Sequence, residues 1–186
     1  MFAEIAPLKT PWADRKSRAV LGADDHGESR NLFALLADHS VHPRRLFKAV
    51  VTEQKLDVDR VLGQPISRSE QLAYRYIVDV DGFARIGDAW AWKMMGGSTV
   101  LSVQSPWISF FSEPFTPWEH DVPVNNNCFD LAEKLERCRD HVVECCAIAQ
   151  RAGERASVVY NPVTVAEVLL TKSCQKLAEP LPAEFS

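Results

Sequence analysis

The side chains with most chemical potential cluster between Asp79 and Ser98. Asp79-Val80-Asp81 closes the β-branched, aromatic run Tyr76 to Val80. Alternate positions on a strand put both carboxylates on one face, where such a pair can hold a divalent cation over a diphosphate. The alternative reading is plainer: Asp79 lies in the sheet and Asp81 opens a turn with Gly82. The stretch that follows, DGFARIGDAWAWKMMGGS, holds Gly82, Gly87, Gly96 and Gly97 beside Arg85 and Lys93. Glycines let backbone approach phosphate oxygens, and a helix N-terminus offers free N–H groups to an anion. No G-x-G-x-x-G and no Walker pattern is present. Trp90 and Trp92 either stack on a base or sugar or fill the core under a sheet.

Two other groupings carry weaker signals. Asp24-Asp25-His26-Gly27 reads as an acid/base pair or as a solvated turn. Cys138, His141 and Cys145 share a helical face, but cannot close a tetrahedral metal site alone and read better as core. There is no G-x-S-x-G elbow for hydrolase chemistry.

The elements that must position these residues follow from pattern. Residues 1–17, with Pro7, Pro11 and Asp14-Arg15-Lys16, read as a linker. Arg18 to Ala23 reads as a strand running into a loop, and Ser29 to Ser40 has helical periodicity. Leu46 to Thr52 (LFKAVVT) reads as a second strand. Ser67-Arg68-Ser69-Glu70 fits a capping box. Tyr76 to Val80 predicts a strand, Ile86 to Met95 a helix stopped by Gly96-Gly97, and Ser98 to Val103 a doubly buried strand. Trp107 to Phe111 reads as a helical turn and His120 to Val124 as a strand. Helices are expected from Phe129, with Phe129, Ala132, Leu135 and Cys138 or Arg139 on one face, then over Val142 to Arg155, then from Asn161-Pro162 to about Ala178. Alternating strands and helices predict an α/β fold with a parallel sheet. Its ligand crevice should lie at the carboxyl ends of the strands, among the loops 22–27, 81–87 and 104–107.

The 186 residues, 46% hydrophobic and 25% charged, suit one globular domain with a helical appendage. A net charge of −4 without a basic run argues against nucleic acid. The five cysteines all fall in the last third, so a disulfide framework is not expected and a reducing compartment is. The first residues lack a signal-peptide pattern and no window reaches the roughly 18 apolar residues of a membrane span. A soluble, cytoplasmic chain is the expectation.

Four motifs in order make the segment from about Glu70 to Glu154 recognisable: Y-R-Y-I-V-D-V-D-G, D-A-W-A-W-K-M-M-G-G-S-T-V-L, S-P-W-I-S-F-F and T-P-W-E-H-D-V-P-V. Together they resemble glycosyltransferase family 90, the lipopolysaccharide-modifying and capsule-associated enzymes that also include protein O-glucosyltransferases. The resemblance implies the carboxyl-terminal, Rossmann-like lobe of a GT-B fold over residues 18–160, with a helix and tail over 161–186. It implies a nucleotide-sugar donor such as a UDP-sugar, a glycan or protein hydroxyl as acceptor, inverting transfer, and no metal or other cofactor. Donor contacts are implied for Gly22, Arg30, Asp81, Gly82, Arg85, Asp88, Trp92, Lys93, Gly97, Ser98, Ser105 and Phe110. Trp118, His120 and Pro123 are implied to support the fold beside the site.

Two departures bear on mechanism. Leu21-Gly22 stands where the family has Arg-Gly, and Asp88…Trp92-Lys93 where many members carry Arg. Compensation of the diphosphate would then fall to Lys93, Arg85 or Arg30. The family's amino-terminal lobe, with the base that activates the acceptor, would precede Trp12, so the catalytic base is not assigned. The alternative reading is a truncated, non-catalytic lobe that binds a partner (a partner lobe or a second copy) or a sugar nucleotide without turnover, as a binding or interaction module.

Overall fold

The computed structural model describes residues 10–22, 43–59, 66–81, 87–107, 109 and 111–178. It has five strands, β1 (Lys16–Val20), β2 (Val58–Asp59), β3 (Tyr74–Asp79), β4 (Thr99–Val103) and β5 (Val122–Val124). They form one parallel sheet in the order β2-β1-β3-β4-β5. The helices are α1 (Pro43–Glu53), α2 (Arg68–Gln71), α3 (Gly87–Met95), α4 (Leu131–Asp140), α5 (Val142–Val159) and α6 (Pro162–Ala178). The α/β class expected from the sequence is therefore the fold observed.

All five residues of β4 are buried, as a strand covered on both faces requires. One face packs Tyr76, Val78, Leu101, Val103, Val122 and Val124 against α1, α4 and the start of α5. The other packs Val20, Ile77 and Trp92, and beside them Val100, Trp90 and Met94 under α3 and the end of α5. The capping box forms as the sequence dictates: Ser67 Oγ accepts from Glu70 N at 3.2 Å, and Ser67 N donates to Glu70 Oε2 at 2.8 Å.

Four expectations need correction. Leu46 to Thr52 is not a strand but the middle of α1. Phe47, Val50 and Val51 recur at helical spacing and bury one side, which outweighs the β propensity of the valines. The short edge strand β2 was not foreseen. Its two residues carry too little pattern to detect, and pairing with β1 creates it. Within the stretch read as a linker, Trp12–Asp14 forms a 3-10 turn. Trp12 buries against Tyr76 and donates from Nε1 to Thr99 Oγ1 at 3.2 Å. The buried face of α4 runs through Leu131, Leu135 and Cys138; Phe129 precedes the helix and stays exposed. The expected helix over Ser29 to Ser40 lies outside the described residues.

Candidate active site

In a parallel sheet every strand delivers its carboxyl end to one edge, and ligands settle where the crossover direction reverses. Here that point lies between β1 and β3. Gly22 follows β1 and Asp81 follows β3, so both come to this edge. A Cβ on Gly22 would fall 2.4 Å from Gln71 Nε2, so the backbone lies tight on the buried Gln71. Asp81 is buried. Arg44, in the first turn of α1, donates from Nε to the Val80 carbonyl at 3.4 Å. A guanidinium thus stands at the end of β3, a placement that follows from α1 being a helix and not a strand. Pro43 at the first helical position, with Leu46, Phe47, Val50 and Val51 after it, was the available signal.

A cavity of about 600 Å³ lies farther along, against β4, β5 and α3. Ser102, Gln104 and Ser105 come from the end of β4, Pro123 and Asn126 from β5 and its exit, and Trp90 from α3. Trp107, Glu113, Phe115 and Asp121 complete the working surface. Flat aromatic faces, two carboxylates, two carboxamides and three serine hydroxyls meet there. Such a lining suits a hydroxyl-rich or heterocyclic group. No lysine or arginine is among its described lining residues.

The donor-site expectations divide by position. Gly22, Asp81 and Ser105 reach the carboxyl edge. Asp88 lies in the first turn of α3 and pairs with Arg68 at 2.6 Å. Trp92 is buried beneath the sheet among Val20, Leu72, Tyr74 and Ile77. Lys93 is buried and bonded to Asp79. Gly97 and Ser98 precede β4 and so sit at the opposite, amino edge. There the buried Arg15 donates to the Gly96 carbonyl at 3.0 Å and to Ser98 Oγ at 2.7 Å, and Ser98 Oγ donates to the Tyr74 carbonyl. These two residues are not brought together with the crevice. Desolvation lowers the Arg15 pKa from its usual value. Arg30, Gly82, Arg85 and Phe110 lie outside the described residues.

Of the supporting residues, Pro123 lines the cavity, and His120 packs against its Phe115. His120 Nδ1 accepts from Thr116 N at 3.0 Å, and its ring meets Phe115 edge-on. Trp118 has φ 65°, and Lys134 and Arg137 lie over its ring. The neighbouring Cys145 thiol and burial together push the Cys138 thiol up. Among the described residues no group of three or more His, Cys, Asp or Glu side chains could hold a metal ion. Nor is any helix there long and apolar enough to cross a membrane.

The chain is 33% identical over 159 residues to human protein O-glucosyltransferase 3, covering 81% of this chain and 30% of that protein. It is 34% identical over 183 residues to uncharacterized protein 179R of invertebrate iridescent virus 6, covering 78% of this chain and 15% of that one. The chain thus spans less than a third of the length of these relatives. Among solved structures, sucrose-phosphate synthase from Thermosynechococcus elongatus shares the fold, with a TM-score of 0.51 at 18% identity over 92% of this chain and 47% of that one. The model of glycosyl transferase family 90 matches residues 3–161. With its parallel sheet and the four motifs in order, this chain belongs to glycosyl transferase family 90.

Proposed function

We propose that the chain is the nucleotide-sugar-binding lobe of a GT-B glycosyltransferase, with a UDP-sugar as donor. The cavity at the ends of β4 and β5 carries this reading. Asp121, Glu113, Gln104 and Asn126 match sugar or ribose hydroxyls, and Trp107 offers a face to a base or a pyranose ring. The diphosphate belongs toward the β1/β3 switch point, where Arg44 stands. N–H groups and cations there stabilise the charge that develops on the leaving group.

The acceptor is a hydroxyl, of a glycan as in the lipopolysaccharide-modifying members or of a protein as in the O-glucosyltransferase relatives. A base removes its proton while the oxygen attacks the anomeric carbon from the side opposite the diphosphate. The bond to the diphosphate oxygen breaks, and the sugar leaves inverted. That base belongs to a partner lobe, and the resident lobe needs no metal or organic cofactor. Calorimetric titration with UDP and UDP-glucose tests the donor assignment. Saturable binding is expected, and no heat at millimolar UDP or UDP-glucose overturns it.

A further inference from the structure

One wall of the cavity is the segment 111–115, which contributes Ser112, Glu113 and Phe115 to the lining. Behind it lies a second hollow of about 160 Å³, lined by Phe111, Pro114, Val158, Val159, Val165 and Val168 among others. A wall between two voids is not fixed by close packing alone. Its position depends on specific bonds.

Those bonds come from one place, the end of α5 and the helix after it. Tyr160 Oη donates to the Phe111 carbonyl at 2.7 Å. Arg155 Nε donates to the Pro114 carbonyl at 3.1 Å. Lys172 Nζ of α6 lies 2.7 Å from Glu113 Oε2. The buried Tyr160 ring also stacks on Phe115, centroids 6.0 Å apart at 25°, and meets Phe111 at 6.1 Å. Phe115 faces the cavity, so Tyr160 is one ring removed from whatever the cavity holds.

We infer that Tyr160 and Arg155 are positioning residues for the cavity's ligand, acting through the backbone of 111–115. They touch no ligand. They set where Phe115 and Glu113 stand, and a displacement of a contact surface by an ångström is enough to weaken binding. The inference rests on the nucleotide-sugar reading of the cavity and adds to it a determinant outside the lining.

Tyr160→Phe isolates the effect, because it removes one hydroxyl and keeps both ring contacts. Arg155→Ala removes a second bond, and Arg155→Lys restores a donor. Each variant is measured by thermal unfolding, by amide exchange of 111–115, and by calorimetry with UDP and UDP-glucose. Faster exchange confined to 111–115 is expected, with the unfolding midpoint within a few degrees of wild type. Losing one such hydrogen bond predicts about tenfold weaker binding of at least one nucleotide in Tyr160→Phe, and Arg155→Lys should recover part of the loss in Arg155→Ala. Unchanged exchange overturns the inference, as does faster exchange with both affinities intact; in either case the donor assignment stands. If wild type binds neither nucleotide, the donor assignment fails and the inference falls with it.

Discussion

Lys93 Nζ lies 2.6 Å from Asp79 Oδ1, and both side chains are 7% exposed. The same ammonium donates to the Val78 carbonyl at 3.2 Å. The first carboxylate of Asp79-Val80-Asp81 is therefore neutralised from α3, inside the protein. The pair ties α3 to the carboxyl end of β3, which leads to Asp81. It bears on the site through position rather than through a free charge.

Breaking that pair should cost stability first. Lys93→Met leaves a buried carboxylate without its cation, a change that typically costs about 3–5 kcal/mol. Lys93→Met with Asp79→Leu should recover much of that loss, since two apolar groups replace two charges. Urea unfolding of both single variants and the double variant measures the coupling. Additive losses would show that the pair is not a unit.

Trp107 is 54% exposed and lines the cavity. Trp107→Ala should weaken UDP or UDP-glucose binding by about tenfold, the lower range for loss of one aromatic stacking face. Its thermal midpoint should hardly move, because little is buried there. Nucleotide should also quench part of the wild-type tryptophan emission, and that part should vanish in the variant.

Cys128 predicts a pH dependence. Burial raises its thiol from the ordinary 9.0 to about 12 in the folded chain. The unfolded chain releases this proton first, so above pH 9 it binds fewer protons than the folded one. Stability is complete below about 9 and should decline toward about 12, by about 1.4 kcal/mol per pH unit from this group. Burial shifts Tyr76 upward as well, in the same direction. Urea midpoints at rising pH, compared with Cys128→Ala, isolate the thiol's share; an identical slope in the variant refutes the assignment.

Gly97 ends α3 with φ 73°, and a Cβ there would sit 3.3 Å from Arg15 Nη2. Gly97→Ala should lose about 1–2 kcal/mol, from left-handed backbone strain alone. Gly97→Asn should lose less, as asparagine tolerates that conformation. Equal losses in urea unfolding would mean that crowding by Arg15, not backbone strain, dominates.

Much of the fold was legible because the signals are local. The capping box at Ser67, the β-branched run through Tyr76 to Val80 and the glycine stop after Met95 each depend on neighbours in sequence. The site was legible as a class: four motifs in order point to the family, and strand ends point to one edge. Leu46 to Thr52 was not, because LFKAVVT satisfies a strand by propensity and a helix by spacing. Gly97 and Ser98 were assigned to the donor by motif, yet they precede β4 while Ser105 follows it. Sequence distance does not reveal which end of a strand a residue occupies.

By itself the sequence determined the α/β class, the family and the strand-ended placement of Gly22, Asp81 and Ser105. These follow from periodicity and from motif order, which the chain carries in one dimension. Tertiary structure alone decided that Lys93 faces Asp79, that Arg15 holds the Gly96–Ser98 turn, and that Asp121 and Glu113 share a cavity with Trp107. Each pairs residues from different elements. A buried charge takes the counterion that packing brings within reach, and no spacing along the chain specifies that partner.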